Sequence, residues 1–111
     1  MTRPTIQPGA VWFVDFNPVR GHEQGKDRPA LVVSSSDHLK LTRATLVTVL
    51  PMTTAEKPWR HRVHVESGGG WVITEQVRTV SAERFRRPAP GIALTEDEFS
   101  RVRTILQRML L

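Results

Sequence analysis

The run Asp27-Arg28-Pro29-Ala30-Leu31-Val32-Val33-Ser34 limits the fold more than any other stretch of the chain. Alternate residues of an extended segment face opposite ways. Ala30 and Val32 therefore share one face and Leu31 and Val33 the other, and both pairs are apolar. A strand over Arg28–Ser34 must be covered on both sides. Pro29 brings no amide N–H to a ladder, so it fits only at a strand start or an edge. A chain of 111 residues has room for one core, which makes residues 1–111 a single expected domain.

The flanking segments read as short strands. Met1–Gly9 is an irregular lead-in. Ala10–Phe16 is β-branched and aromatic, a strand ended by Asn17-Pro18. Val19–Asp27 is a polar loop. Ser36–Arg43 suits a short helical turn capped by Ser36 or Asp37. Thr45–Leu50 is a further strand, stopped by Pro51, and Met52–Trp59 is a loop. Arg60–Glu66 alternates, with His61, Val63 and Val65 on one face and Arg60, Arg62 and His64 on the other. Gly68-Gly69-Gly70 turns the chain. Trp71–Ser81 is one bent strand or two consecutive ones, with Glu75 on it. Ala82–Arg87 is a helical turn, followed by Pro88-Ala89-Pro90-Gly91.

The last element is a helix. Thr95 and Glu98 spell a capping box, and Phe99, Val102, Ile105, Leu106, Met109 and Leu110 follow on one face at helical spacing. That stripe reads as core or as a dimer contact. Five to six strands and a C-terminal helix make a mostly β fold, an antiparallel barrel-like sheet with a helix packed on it.

The chain has no cysteine, which removes disulfides and thiolate metal sites and suits a reducing compartment. The N-terminal residues show no apolar signal core, and no apolar run is long enough for a membrane. The expectation is a cytoplasmic protein without a membrane partner. Sixteen Lys+Arg against eleven Asp+Glu give a net charge of +5, and thirteen of the sixteen are arginine. Guanidinium groups suit bidentate phosphate contact, although charge alone also describes an ordinary solvated surface.

The loop before Pro29 concentrates chemistry. It offers His22, Glu23, Lys26, Asp27 and Arg28 within a few residues. Arg28, at the loop–strand junction, could hold a phosphate and stabilise a pentacoordinate transition state; the plain alternative is a surface arginine paired with Glu23 or Asp27. Glu23 and His22 are candidate base and acid. Thr53 and Thr54 could donate to a phosphate oxygen, or only cap a turn. Glu75 needs a partner, for which Arg28 and Arg78 are candidates. Arg60, Arg62 and His64 form a basic row, near Trp59 and Trp71, which could stack on bases. Arg84, Arg86 and Arg87 read as a second basic cluster, solvated.

No cluster has metal-ligand spacing, and no phosphate loop or dinucleotide fingerprint is present. No cofactor is expected, and any hydrolysis would be metal-independent. RNA carries its own nucleophile in the 2′-hydroxyl and DNA does not, so such an acid/base site favours RNA.

The blocks VWFVDFNPVRGHEQGKDRPALVVSS, VTVLPMTT and WVITEQVRTVS–ERF, with the amphipathic C-terminal helix, resemble the MazF/PemK/Kid family from Pro8 to Leu111. These are the toxins of type II toxin–antitoxin modules. The resemblance implies an SH3-like barrel, a homodimer, and a ribosome-independent endoribonuclease. Such an enzyme cuts single-stranded RNA at a short sequence, leaving a 2′,3′-cyclic phosphate and a 5′-hydroxyl. It also implies a cognate antitoxin that lays an acidic, disordered C-terminal tail over the toxin. By position, Arg28 stands in the R-P block and Thr53 in the P-x-T block. Glu23 matches an acidic loop residue, and His22 and Glu75 match the histidine and acid of the Kid branch. Ile73 stands where that branch has an arginine. The reading makes Arg28 the phosphate stabiliser and acid, and Thr53 the residue that orients the phosphate. Glu23 is the base, with Glu75 in reserve, because an arginine stays protonated. Lys26, Thr54, Trp59, Arg60, Arg62, Gln76 and Arg78 are the expected RNA contacts. Two rivals share the fold. One is a CcdB-like gyrase poison, whose tryptophan-bearing tail is absent from Arg108-Met109-Leu110-Leu111. The other is an RNA-binding module without catalysis.

Overall fold

The computed structural model describes residues 5–17, 27–55 and 61–110. Its strands are β1 (Val11–Asp15), β2 (Asp27–Val32), β3 (Leu46–Thr53), β4 (Val63–Val65), β5 (Gly70–Val72), β6 (Arg78–Ser81) and β7 (Phe85–Pro88). Helix α1 (Ser36–Leu41) follows β2, a single 3₁₀ turn (Ala82–Arg84) joins β6 to β7, and α2 (Glu96–Leu110) ends the described chain. All strand pairs are antiparallel. The path runs β4-β5-β3-β2-β1-β7, and β6 also pairs with β3. No pairing joins β6 to β7 among the described residues, so the barrel is left open at that seam.

Strand β2 is covered on both faces, as its sequence demands. Ala30 and Val32 join Trp12, Val14, Val47 and Val49 inside the curled sheet. Leu31 points the other way, into a cluster with Leu50, Met52, Val63, Val72 and Val102, packed by Phe99, Ile105 and Leu106 of α2. The capping box forms reciprocally: the Glu98 N–H donates to Thr95 Oγ1 at 3.1 Å and the Thr95 N–H to Glu98 Oε1 at 2.9 Å. Glu98 Oε2 also accepts the Glu66 N–H at 3.0 Å, tying the helix start to the end of β4. Burial pushes the Glu98 carboxyl up, but the Glu66 and Thr95 N–H groups outweigh it and hold it below its ordinary value.

Several boundaries differ from the sequence reading, for identifiable reasons. β3 runs through Pro51 instead of stopping before it. Up to Val49 it pairs with β6, and from Met52 with β5. Pro51 sits where the partner changes, so its missing N–H breaks no ladder. Trp71–Ser81 is two strands, and Glu75 lies in the turn between them. Of the strand expected over Arg60–Glu66, the described residues 61–66 form a strand only at Val63–Val65. The cap of α1 is Ser35, whose Oγ accepts the His38 N–H at 3.0 Å, rather than Ser36 or Asp37. The helical turn expected over Ala82–Arg87 ends at Arg84, and the described residues form seven strands against an expected five to six.

Candidate active site

Four strands contribute to the barrel mouth. Phe16 and Asn17 continue β1, Asp27 and Arg28 open β2, Pro51 lies on β3, and Gln76 and Arg78 lead into β6; together they line an open cleft of about 530 Å³. Arg28 is exposed and sits opposite Val14 on β1. On its other side the β2–β3 ladder ends at Ala30–Pro51. The same register carried two residues outward sets Arg28 against Thr53. Thr53 is half-buried, and its Oγ1 accepts the Ala55 N–H at 3.1 Å. That bond does not use the hydroxyl proton, which is left to donate. So the threonine both caps a turn and keeps a donor.

Arg78 brings a second guanidinium to the cleft, 5.3 Å over the Phe16 ring centroid. Two guanidiniums against the one carboxylate of Asp27 leave the cleft cationic. The lining also offers an aromatic face (Phe16) and two amide groups (Asn17, Gln76). The chemistry this permits is capture of a phosphate with hydrogen bonding to a planar polar group beside it.

The comparison with known proteins is decisive about kinship. A family model described as "PemK-like, MazF-like toxin of type II toxin-antitoxin system" matches residues 7–110. The chain belongs to this family. Endoribonuclease MazF9 of Mycobacterium tuberculosis is 32% identical over 102 residues, covering 82% of this chain and 86% of that protein. Endoribonuclease EndoA of Bacillus subtilis is 27% identical over 86 residues, 72% of this chain and 74% of that protein. The solved MazF of Deinococcus radiodurans superposes with a TM-score of 0.74 at 29% identity, covering 95% of this chain and 96% of that one. A MazE–MazF structure from the same organism gives 0.76 at 27% identity, covering 95% of each chain.

Against this MazF/PemK fold, the expected site residues divide. Arg28, Gln76 and Arg78 line the cleft, and Thr53 lies two residues beyond the lining residue Pro51 on β3. Thr54 is exposed just beyond β3. His22, Glu23, Lys26, Trp59 and Arg60 lie outside the described residues. Glu75 is not paired with Arg28 or Arg78. Arg62 takes it instead, Nη2 donating to Glu75 Oε2 at 2.8 Å and Nε at 3.3 Å. His61 Nε2 lies 3.2 Å from the other carboxylate oxygen, an ion-pair distance without hydrogen-bond alignment. Burial pushes the Glu75 carboxyl up, yet the hydrogen bond and charge of Arg62 prevail and hold it below its ordinary value. Arg62 is therefore not part of an exposed basic row. Its side chain is 7% exposed and committed to the carboxylate. The Thr74 hydroxyl donates to the His61 carbonyl, joining the two segments again.

The cleft also contains residues that are not among the expected catalytic groups or RNA contacts. Asp27, assigned to the loop, is the first residue of β2 and lines the cleft, as do Phe16 and Asn17. Behind them, Asp15 is buried. It accepts the Asn17 N–H at 2.9 Å and Arg86 Nη2 at 2.9 Å. Arg84 Nη1 donates to the carbonyls of Asp15 and Asn17. The Asn17 N–H foremost, with Arg86 and against burial, holds the Asp15 carboxyl below its ordinary value. Arg86 can reach because the β1–β7 register slips between Phe13 and Val14, leaving it as the extra residue of a bulge. Arg87 lies 4.3 Å over the Phe13 ring centroid. Within the second basic cluster, Arg84 and Arg86 thus brace the end of β1, while Arg86 and Arg87 remain exposed as the solvated reading expects. The signal for the brace was the carboxylate of Asp15, inward-facing in an apolar strand and in need of a cation.

Proposed function

We propose that this chain is the toxin of a type II toxin–antitoxin pair and acts as a sequence-specific endoribonuclease on single-stranded RNA. The observation that carries the reading is the cationic cleft at the barrel mouth, lined by Arg28 and Arg78, in a family whose curated relatives are named endoribonucleases.

The reaction uses the nucleophile RNA already contains. The 2′-oxygen forms a bond to the adjacent phosphorus, and the bond from phosphorus to the 5′-oxygen breaks. A 2′,3′-cyclic phosphate and a 5′-hydroxyl result. Glu23 takes the 2′-hydroxyl proton. Arg28 stabilises the charge on the pentacoordinate phosphorane and passes a proton to the leaving oxygen, recovering it at once from water as Glu23 releases its own proton to water, so the guanidinium is charged before and after each turnover; Thr53 orients a phosphate oxygen. Arg78 holds a neighbouring phosphate. No step calls on a metal ion. The working form is a cytoplasmic homodimer. Its inhibitor is an antitoxin with an acidic disordered C-terminal tail, a match for a protein of net charge +5.

The test is to incubate a long RNA with the protein in EDTA and map the 5′ ends. Discrete 5′-hydroxyl ends at a recurring short sequence, absent with Arg28→Ala, are expected. Intact RNA after incubation with folded wild-type protein overturns the reading.

A further inference from the structure

The register of the sheet carries the cleft further than its lining residues. Directly opposed residues of neighbouring strands share one face. Thr53 on β3 opposes Trp71 on β5, and Trp71 opposes His64 on β4. Thr53, Trp71 and His64 are thus successive positions of one cross-strand row, and the β2–β3 register carried two residues past Ala30–Pro51 extends it towards Arg28. From Thr53 to His64 the row spans two strand spacings, about 10 Å.

Burial shows that this row is not core. The neighbouring row, Met52–Val72–Val63, is buried against α2. Trp71 is half-buried and His64 exposed, on the opposite face. Their rings meet at 4.9 Å between centroids and 60° between planes. An edge-to-face contact of this kind braces the indole yet leaves at least one ring face uncovered by the partner. An indole held half in solvent on a three-residue strand does little for the core, where the buried row already serves.

We propose that Trp71 and His64 form a nucleobase-stacking shelf, a subsite for an unpaired base next to the phosphate held at Arg28 and Thr53. The proposal rests on the nuclease reading above. It adds a residue pair that selects and positions RNA without joining the chemical step. Unpaired bases of single-stranded RNA stack on such aromatic faces. The shelf is aromatic rather than cationic, so it responds to the base and not to the phosphate.

The test measures binding of a fully 2′-O-methylated, uncleavable single-stranded RNA to the full chain at several salt concentrations. Trp71→Ala is expected to weaken binding about 5- to 100-fold, with the salt slope unchanged because no ion pair is lost. Trp71→Phe keeps a stacking face and retains most of the affinity, and His64→Ala gives a smaller loss. On cleavable RNA the loss falls in KM more than in kcat. A second measurement needs no variant: RNA carrying 5-iodouracil, irradiated on the wild-type protein, should crosslink to the peptide containing Trp71. Wild-type cleavage with unchanged affinity in Trp71→Ala overturns the shelf alone, as do crosslinks confined to other peptides. Wild-type protein that neither binds nor cuts RNA overturns the nuclease reading and the shelf with it.

Discussion

Arg62 and Glu75 meet across 2.8 Å, and the arginine side chain is 7% exposed. This pair fixes the turn that delivers Gln76 to the cleft. Replacing Arg62 by methionine keeps the packed stem but removes both of the guanidinium's hydrogen bonds to the carboxylate. The glutamate is a quarter exposed, so the loss is smaller than for a fully buried pair, about 1–3 kcal/mol. Chemical denaturation of Arg62→Met beside the double variant Arg62→Met/Glu75→Gln checks it, since the double variant should recover part of the loss.

The same carboxylate sets an acid limit. Glu75, Asp15 and Glu98 are all held below their ordinary values. A depressed carboxyl stabilises the fold fully above its unfolded value of about 4, and the contribution disappears as pH falls through the lower folded value. Melting temperature should therefore be flat, as far as these three groups are concerned, from neutral pH down to about 5. It should then drop in acid, and Glu75→Gln should make the drop shallower.

Arg28 and Arg78 share the cleft but not the duty proposed for them. Arg28→Ala should cost about 10²–10³ in kcat, with Arg28→Lys recovering only part because an ammonium has no fork. Arg78→Ala should mainly raise KM and reduce the salt slope of single-strand binding by about 0.7. Steady-state cleavage across a salt series separates them.

Gly70 has φ +85°, and a Cβ there would strike the Thr53 carbonyl and Thr54 Cα. Gly70→Ala should lose at least about 1 kcal/mol and push Thr53 out of line with Arg28. Cleavage should fall even at temperatures where circular dichroism shows the protein folded.

Glu98 satisfies backbone N–H groups on two elements. Glu98→Ala should destabilise by about 1–3 kcal/mol, with Glu98→Gln intermediate, measured as a shift in urea midpoint. Being remote from the cleft, it should leave kcat unchanged in protein that remains folded.

Where one local rule decided, the sequence was readable. The two apolar faces of β2 and the Thr95–Glu98 box formed as their spacing requires, because each rests on periodicity or on one side-chain geometry. Pro51 misled, since it breaks a strand only when its missing N–H faces a partner, and the switch between β6 and β5 is a tertiary fact. The partners of Glu75 and Asp15 were hidden for the same reason. Both carboxylates announced that a cation was needed, but which arginine answered depended on a turn and a bulge. Asp27 and Asn17 entered the cleft through register, which no short window contains.

Ala30 and Val32 belong to the apolar cluster inside the barrel, while Leu31 between them belongs to the one beneath α2. The two clusters share a single wall one backbone thick. Neither can come apart while the other stays whole, so hydrogen exchange at the amides of residues 30–32 requires opening of the entire molecule. Those amides should be the slowest to exchange, and denaturation should run as one step.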